Sequence, residues 1–363
     1  RVRPGGRPRR RRKGPAMNVQ RVLIVKPSSF GDIVHSLPFL HVLRRGLPRA
    51  HVAWMVSRAN AGLLEGHPEI DELVIFERER WGGVTDFCRS VPELAAFVRG
   101  LRRRAFDLVV DLQGLFRSGL LTRLSGAPRR VGFAAAREMS HLFYTDRVHV
   151  SDPEMHAVER YLLVARALGL DTDGAPTFVV PVGEDDRRFA AERLDEMNPD
   201  GTTVVVMLPS SRWVTKRWPG EHFAALADRV TRELDARVLF LGGAGDVSLV
   251  ESLRGAMTSS ALSLVGRTTL RQSAALLERA DAVVANDSGP MHLAVALGRA
   301  VVALYGPTSP GRTGPYGGNV RLVRTRCDCA PCFKSDCDRH ECMRDISVDE
   351  VFDALRHLME VPS

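Results

Sequence analysis

The sequence predicts an α/β protein built from two doubly wound halves that face a common cleft. Its 363 residues exceed what one ordinary hydrophobic core needs, so two domains are expected. Short apolar, β-branched runs alternate with helical segments, which is typical of a parallel sheet covered by helices. A stretch rich in Gly, Pro and Asp at 171–183 divides this alternation into two. Ligands of such sheets bind at the carboxyl ends of the strands, so the cleft is the expected site.

The N-terminal half is expected to form a Rossmann-like domain over 17–175. Its strands are predicted from short runs of Val, Ile, Leu and Phe at 22–25, 51–56, 73–76 and 106–111. Its helices are predicted at 32–45, at 92–104, after the loop 112–115, and at 156–168.

The C-terminal half repeats the pattern and is expected to form a second Rossmann-like domain over 184–345. Its strands are predicted at 203–208, 237–241, 282–285 and 300–304. Its helices are predicted at 221–233, 246–257, 269–280 and 290–297. A last helix within 346–363 is expected to pack back on the N-terminal domain.

The formal net charge of +8 would suit a nucleic-acid-binding protein, but the excess of basic residues lies at one end of the chain. Residues 1–16 carry seven Arg, one Lys and no acidic residue, and the rest balances at 43 basic and 43 acidic side chains. We expect this arm to be disordered and Met17 to be the natural start. A basic tail that contacts anionic lipid or nucleic acid is the alternative. Without an apolar run of membrane-spanning length or a signal peptide, a cytoplasmic location is expected.

Five of the six cysteines cluster near the C-terminus. Cys327, Cys329, Cys332, Cys337 and Cys342 do not have the paired spacing of a common zinc site, although His340 lies among them. In a cytoplasmic chain, reduced thiols or a bound metal are the alternatives to disulfides. We expect a Cys-rich surface loop without metal.

Two polar loops follow predicted strands and contain candidate catalytic groups. Lys26-Pro-Ser-Ser-Phe-Gly-Asp32 follows the first strand, and Asp32 would begin the next helix as an N-cap or act as a base that deprotonates a hydroxyl. In the C-terminal half, Ser210, Ser211 and Lys216 follow a strand. These groups suit a phosphate-binding loop in which the Lys offsets the charge of a leaving diphosphate.

Two further loops of the C-terminal half are candidate nucleotide contacts. Gly242-Gly-Ala-Gly-Asp246 predicts a tight strand-to-helix turn near a ribose and base, since a lone glycine cluster is weak support for a dinucleotide site. In Asn286-Asp-Ser-Gly-Pro-Met-His292, Asp287 or Ser288 would cap a helix whose first N–H groups, at Ser288 and Gly289, form an anion site. His292 would be a core histidine or would face the diphosphate.

Together these loops resemble glycosyltransferase family 9, the ADP-heptose:lipopolysaccharide heptosyltransferases. The matching segments occur in the family's order and cover most of the chain from Met17 onward. They are VLIVKPSSFGDIVHSLP (22–38), DLVVDLQGLFRSGLLTRLSG (107–126), HAVERYL (156–162), LPSSRWVTKRWP (208–219), NDSGPMHLAVALG (286–298) and YGPTSPGRTGPYG (305–317). The first segment is most similar to the enzyme that adds the first heptose to Kdo-lipid A. The Cys-rich segment 329–343 is more similar to the second heptosyltransferase.

The resemblance implies a GT-B fold and an inverting, metal-independent transfer in one displacement. The N-terminal half would hold the acceptor and the C-terminal half the ADP-sugar. By motif position, Asp32 would be the base, and Lys216 would hold the diphosphate with Ser210 and Ser211. The donor would also contact Gly242, Asp246, Asp287, Ser288, Gly289 and His292. The family commonly has Thr where this chain has Ser288. Acceptor contacts would come from Lys26, Ser28, Ser29, Arg117 and Arg137, although surface arginines are an equal alternative for the last two.

These observations lead to one main hypothesis and three alternatives. The chain would move heptose from ADP-heptose to a lipopolysaccharide inner-core acceptor, either Kdo-lipid A or heptosyl-Kdo-lipid A. It would need no cofactor, act as a monomer, and touch the inner membrane transiently from the cytoplasmic side. A relative using another nucleotide sugar or glycan is the first alternative. An NAD-dependent sugar-nucleotide enzyme is disfavoured because 26–32 contains a single Gly. A nucleic-acid-binding protein has support only from the basic arm.

Overall fold

The computed structural model describes residues 19–77, 87–135 and 137–360. The N-terminal arm therefore lies outside the described residues, as do the side chains of Cys88 and Arg137. Within the described ranges the chain forms two parallel sheets of six strands each. The predicted α/β class with two doubly wound halves is confirmed.

The N-terminal sheet has the strand order β3-β2-β1-β4-β5-β6. Its strands are β1 (Arg21–Val25), β2 (His51–Ser57), β3 (Glu72–Phe76), β4 (Leu108–Asp111), β5 (Arg129–Phe133) and β6 (Asp146–Val148). The helices that accompany it are α1 (Phe30–Gly46), α2 (Phe87–Arg103), α3 (Phe116–Leu124) and α4 (Ala157–Ala167). The strands β1, β2 and β4 are almost entirely buried, which explains their apolar sequences.

The C-terminal sheet repeats this order as β9-β8-β7-β10-β11-β12. Its strands are β7 (Val204–Leu208), β8 (Arg237–Phe240), β9 (Leu262–Ser263), β10 (Ala282–Asn286), β11 (Ala300–Tyr305) and β12 (Val320–Arg324). Its helices are α5 (Glu184–Met197), α6 (Gly220–Glu233), α7 (Val247–Gly255), α8 (Leu270–Glu278), α9 (Gly289–Ala296), α10 (Pro310–Thr313), α11 (Glu341–Arg344) and α12 (Val348–Glu360).

Both sheets reverse their strand order at one point, between β1 and β4 in the first and between β7 and β10 in the second. Loops diverge at such a switch point and leave a crevice at the carboxyl ends of the strands. The loops after β1, β7 and β10 are the ones in which the sequence placed most of its candidate site residues. The topology therefore brings the predicted loops to the two crevices.

The C-terminal helix departs from its expected position. Instead of packing on the N-terminal domain, α12 buries Val351, Phe352 and Leu355 against α6 and the strands β10–β12 of the C-terminal half. The Arg229 guanidinium of α6 lies 3.9 Å from the centre of the Phe352 ring and 2.5 Å from Asp349. The apolar face of α12 is thus buried within the C-terminal domain. The prediction that this helix packs back on the N-terminal domain was wrong.

None of the helices in the described ranges is long and apolar enough to cross a membrane.

Candidate active site

A cavity of about 460 Å³ lies between the two halves and contains most of the predicted site residues. The N-terminal half contributes Ser28, Ser29, Phe30, Gly31, Asp32, His35 and Asn60 to its lining. The C-terminal half contributes Ser211, Arg212, Trp213, Lys216, Asp287, Ser288, Gly289, His292 and Thr313. The cleft that the sequence predicted therefore exists, and both halves line it.

Asp32 lies at this cavity in the first turn of α1, with 31% of its side chain exposed. Its Oδ2 accepts hydrogen bonds from the backbone N–H of Ser29 at 3.2 Å and from the Ser29 hydroxyl at 2.9 Å. Ser29 is the N-cap of α1, so Asp32 occupies the N3 position of a capping box and is not itself the N-cap that we had considered. The capping interaction uses one carboxylate oxygen and holds the carboxylate at the cavity.

Lys26 lies behind Asp32 and fixes its charge. The Lys26 Nζ is 3.7 Å from the Asp32 Oδ2, 3.4 Å from the carbonyl oxygen of Leu112, and 5.3 Å from the centre of the Tyr161 ring. Burial raises the pKa of Asp32, but the Lys26 charge and the Ser29 hydrogen bonds outweigh it and bring the pKa to about 2. Burial lowers the pKa of Lys26, but the charge of Asp32 overcomes it, so that pKa lies above its usual value. Both groups are ionised at neutral pH.

On the opposite wall, Lys216 is held by Asp287. The Lys216 Nζ lies 2.7 Å from the Asp287 Oδ2, and the cation stands 4.6 Å from the centre of the Trp213 ring. The same carboxylate accepts a hydrogen bond from Thr308 at 2.6 Å, and only 7% of the Asp287 side chain is exposed. Asp287 therefore positions the Lys216 ammonium group. The Lys216 side chain as a whole remains 18% exposed.

The N-terminus of α9 points into the cavity beside Lys216. Ser288 is the N-cap, and its Oγ is buried without a hydrogen-bond partner among the described residues. Free N–H groups of a helix's first turn carry partial positive charge, so this end of α9 suits an anion. An unpaired hydroxyl and a nearby ammonium group add two more donors.

His35 and His292 join the two halves at the floor of the cavity. The His35 Nε2 of α1 lies 3.2 Å from the His292 Nδ1 of α9. Burial, with the neighbouring His292 and His156, lowers the pKa of His35 well below its usual value. Burial lowers the pKa of His292 to about 3, against the opposing charge of Asp32. Both rings are neutral at physiological pH, and one nitrogen of the pair donates to the other.

A second cavity of about 300 Å³ continues from the first on the C-terminal side and shares Phe30, Ser211 and Arg212 with it. Gly242 and Asp246, the two residues predicted to contact the nucleotide from the loop after β8, both line it. The Ser210 hydroxyl donates to Asp246 at 2.5 Å, and the Gly243 N–H donates to the same carboxylate at 2.9 Å. Apart from these groups the lining is largely Leu, Pro and Phe side chains.

Ser210 and Ser211 are both engaged with the protein. The Ser210 hydroxyl lies in the second cavity, and the Ser211 hydroxyl donates to the carbonyl oxygen of Asp287 at 2.9 Å. These bonds tie the loop after β7 to the loops after β8 and β10. The serines therefore shape the site, whereas the Ser288 hydroxyl is unpaired among the described residues and Lys216, although paired with Asp287, keeps 18% of its side chain exposed.

A third cavity of about 320 Å³ opens on the N-terminal side and shares Ser28 with the first. Arg117 lines it together with Gln113 and Glu138. The Ser28 N–H lies 3.4 Å from the Gln113 Oε1, which links the loop after β1 to the loop after β4. Of the two arginines expected at the acceptor, Arg117 lines this cavity, and the Arg137 side chain lies outside the described residues.

Sequence reasoning did not select His35, Asn60, Arg212, Trp213 or Thr313, all of which line the central cavity. Some signal was present: His35 lies three residues after Asp32 on the same helix, where i and i+3 side chains share a face. Arg212 and Trp213 lie inside the loop that carries Lys216. Asn60 and Thr313 come from segments without a chemical signature.

The Cys-rich segment lies apart from Asp32 and lines an open cavity of about 850 Å³. Its five cysteines are unpaired thiols, and among the described residues no group of three His, Cys, Asp or Glu side chains has the arrangement of a metal site. Burial and the neighbouring thiols raise the pKa of Cys342 to about 11. The segment also contacts the loop that carries Lys216, because the Thr215 hydroxyl donates to the carbonyl oxygen of Lys334 at 2.8 Å.

Two facing Rossmann-like domains with a cavity between them form the GT-B arrangement, which this chain shares with solved glycosyltransferases. The chain belongs to glycosyltransferase family 9 (heptosyltransferase), whose family model matches residues 94–343.

Relatives of known identity agree with this assignment. Lipopolysaccharide heptosyltransferase 1 of Pseudomonas aeruginosa is 32% identical over 87% of this chain and 87% of its own length. A family 9 glycosyltransferase from Veillonella parvula superposes with a TM-score of 0.82 at 26% identity, covering 95% of this chain and 99% of that one. Escherichia coli heptosyltransferase WaaC, solved with ADP, superposes with a TM-score of 0.76 at 27% identity, covering 93% of this chain and 100% of that one.

Proposed function

We propose that this protein transfers heptose from ADP-heptose to Kdo-lipid A, the lipid-linked acceptor of the lipopolysaccharide inner core. The observation that carries the proposal is the continuous series of three cavities, with Asp32 and Lys216 on opposite walls of the central one. The relatives that act on lipopolysaccharide or bind ADP supply the identity of the two substrates. The first sequence motif supports Kdo-lipid A over the heptosylated acceptor.

In this proposal the donor occupies the C-terminal side. The adenine fits the largely apolar 300 Å³ cavity, and Asp246 lies where a ribose hydroxyl could donate to it. The diphosphate lies at the N-terminus of α9, where Ser288, Gly289 and Lys216 meet. His292 stands one turn further along α9 and faces the sugar or the diphosphate.

The reaction is a single displacement with inversion at the anomeric carbon. The acceptor oxygen bonds to the anomeric carbon, the bond from that carbon to the diphosphate oxygen breaks, and ADP leaves with the electron pair. Asp32 takes the proton of the acceptor hydroxyl. Its pKa of about 2 keeps it ionised but makes it a weak base, so we expect proton transfer late, after the attacking oxygen has become acidic.

Positive charge for the leaving diphosphate comes from Lys216 and the partial charge of the α9 N-terminus. These groups are already in place, and Asp287 and Thr308 hold the Lys216 ammonium on that wall. We therefore propose a reaction that needs no metal ion and no cofactor. Turnover that survives a chelator would support this part, and restoration of chelated enzyme by a divalent ion would contradict it.

The acceptor occupies the N-terminal side of the cleft. Arg117 lines the third cavity with Ser28 and offers a cation to the Kdo carboxylates or lipid A phosphates. Ser29 and Lys26 affect the reacting hydroxyl indirectly, because they position Asp32 and keep it ionised. Because this acceptor is anchored in a bilayer, the protein would work at the cytoplasmic face of the inner membrane, and we propose separately that it does so as a monomer.

The decisive experiment incubates purified protein with ADP-heptose and detergent-dispersed Kdo-lipid A and follows ADP release together with the acceptor mass. The expected product is one heptose heavier than the acceptor, with one ADP released per transfer. Heptosyl-Kdo-lipid A serves as the alternative acceptor, and UDP- and GDP-sugars as alternative donors. Transfer only to the heptosylated acceptor would reassign the step, and no release from any ADP-heptose mixture would overturn the proposal.

A further inference from the structure

Three large apolar side chains are exposed together on the N-terminal half, next to the third cavity. Phe116 is 45% exposed, Met139 is 61% exposed and Leu142 is 56% exposed. We call these three residues the apolar patch. Phe116 begins α3, and the other two lie in the 3₁₀ segment Arg137–Phe143. Clusters of exposed apolar side chains on a soluble domain are typical of interaction surfaces.

The contacts between α3 and the 3₁₀ segment make the patch one surface. The Phe116 ring packs on the Phe143 ring with centroids 5.3 Å apart, and the Phe116 N–H donates to Glu138 at 3.1 Å. A Cβ on Gly119 would come within 2.8 Å of Phe143, so α3 approaches this segment closely. The two segments therefore hold the three apolar side chains in fixed relative positions.

The backbone of the 3₁₀ segment departs from helical geometry at two residues. Glu138 has a φ of 53° and Met139 a φ of 59°, two consecutive residues in the left-handed region. Neither is glycine, so this conformation costs free energy and has to be held by its surroundings. It leaves Met139 the most exposed of the large apolar side chains in the described ranges. The strained backbone and the most exposed apolar side chain therefore lie in the same segment.

Basic side chains lie on the helix that carries Phe116. Arg117 and Arg123 are both exposed on α3. The Arg130 guanidinium donates to the carbonyl oxygen of Phe143 at 2.9 Å, which places a third basic group beside the 3₁₀ segment. The acidic neighbour Glu138 is bound to the Phe116 N–H. Apolar side chains bordered by arginines match the surface of a bilayer that contains anionic phospholipids.

The position of the patch relates it to the proposed reaction. Arg117 and Glu138 line the third cavity, and that cavity shares Ser28 with the central one that contains Asp32. A glycolipid with its reacting sugar at Asp32 would extend through the third cavity toward the patch. Its lipid end would then leave the protein where the apolar side chains are exposed.

We propose that Phe116, Met139 and Leu142 dock the protein on an anionic phospholipid surface, with Arg117 and Arg123 beside them. The surface places the opening of the third cavity at the bilayer, so the acceptor's sugar reaches Asp32 while its acyl chains stay in the membrane. This inference rests on the proposed function for its purpose, but vesicle binding tests it separately.

The test measures co-sedimentation with vesicles of phosphatidylcholine plus phosphatidylglycerol and with vesicles of phosphatidylcholine alone. We expect binding to the anionic vesicles that weakens at high salt, because charge contributes to it. The double variant Met139→Asp/Leu142→Asp should bind about tenfold more weakly, since two inserting side chains become charged. Arg123→Glu should weaken binding to anionic vesicles and leave binding to neutral vesicles unchanged.

The matched control is Val247→Asp/Leu322→Asp, two exposed apolar side chains of the C-terminal half. It should bind as the unchanged protein does, and all variants should keep the parent melting temperature because the substituted side chains are exposed. Equal loss in the control, or unchanged binding of the Met139/Leu142 variant, would overturn the proposal. Transfer to detergent-dispersed Kdo-lipid A should be unaffected in the double variant. If no variant or parent protein transfers heptose, the function fails while the vesicle result still decides the docking surface.

Discussion

The His35 Nε2 lies 3.2 Å from the His292 Nδ1, so a hydrogen bond between two neutral rings joins the two halves beside Asp32. The rings contact edge to face with centroids 4.3 Å apart, and His156 lies 5.2 Å from His35 on its other side. The His35 Nδ1 has no hydrogen-bond partner among the described residues. Protonating either ring would place a charge in a buried site beside other histidines, and these effects outweigh the opposing charge of Asp32 and lower both pKa values.

These histidines make stability depend on pH in a defined direction. The pKa of His292 is about 3 in the folded protein and near 6.5 in the unfolded chain, so only the unfolded chain takes up a proton between these values. The free energy of unfolding therefore falls as the pH drops from about 6.5 toward 3, by up to about 1.4 kcal/mol per pH unit for each such histidine. Melting temperatures measured from neutral pH downward should show this fall.

His292→Gln should flatten that pH dependence, because glutamine keeps a hydrogen-bonding side chain but does not titrate. His357→Gln is the control, since His357 is exposed on α12. Identical pH slopes for the parent and His292→Gln would show that the buried pair does not govern acid sensitivity.

Close packing of α1 on α9 gives a second prediction. A Cβ on Gly31 would lie 2.7 Å from the His292 Cδ2, closer than real Cβ contacts, so Gly31→Ala must displace the ring or separate the halves. We expect a loss of about 1–3 kcal/mol in the free energy of unfolding, as for other overpacked sites. Gly220→Ala is the control, because a Cβ there meets nothing within 4 Å. Urea unfolding should be unchanged or slightly improved in the control, and equal effects at both sites would refute the packing argument.

The sequence predicted the strands at the centre of each sheet because these are buried on both faces and must be apolar. It did not predict β5, β6, β9 or β12, which lie toward the sheet edges and are short or rich in arginine. The strand β12 (VRLVR) contains two arginines and has no buried residue, so its sequence carries little burial signal. The helix α5 was missed for a similar reason, since only three of its residues are buried.

For the site, local motifs placed Asp32, Lys216 and Ser288 at the cleft because each follows a strand at a switch point. The sequence did not reveal which polar groups would satisfy one another. The pairing of Lys216 with Asp287 and that of His35 with His292 join residues 71 and 257 positions apart. Such contacts depend on how the strands and the two domains are arranged in space, and a single sequence does not encode that as a local pattern.

The ion pair on the donor wall gives a third prediction. Lys216→Ala removes the ammonium group that lies at the proposed diphosphate site and should lower kcat and raise the KM for ADP-heptose. Asp287→Asn keeps Lys216 but weakens its anchor and should mainly raise the donor KM. For Lys216→Ala we expect kcat/KM for ADP-heptose to fall by the equivalent of about 1.5–3 kcal/mol of transition-state stabilisation. This is the size expected for one hydrogen bond to a charged group.

Lys334→Ala is the control for the donor wall. Its backbone carbonyl accepts the Thr215 hydrogen bond, whereas its side chain is exposed and dispensable for that contact. Steady-state kinetics with varied ADP-heptose give kcat and the donor KM for Lys216→Ala, Asp287→Asn and the Lys334→Ala control. A Lys216→Ala enzyme with parental kcat and KM would remove Lys216 from the mechanism.

The pair formed by Lys26 and Asp32 gives the last prediction. Asp32→Asn keeps the shape of the side chain and removes the base, so kcat should fall by about 10²–10⁴ while ADP-heptose binding stays nearly intact. In the parent, the pKa of about 2 keeps Asp32 ionised, and kcat/KM should show no acidic limb from this group between about pH 4 and 6. Lys26→Met removes the charge that lowers the pKa, and burial then raises it. An acidic limb should therefore appear in the Lys26→Met profile, and its absence would show that Lys26 does not set the ionisation of Asp32.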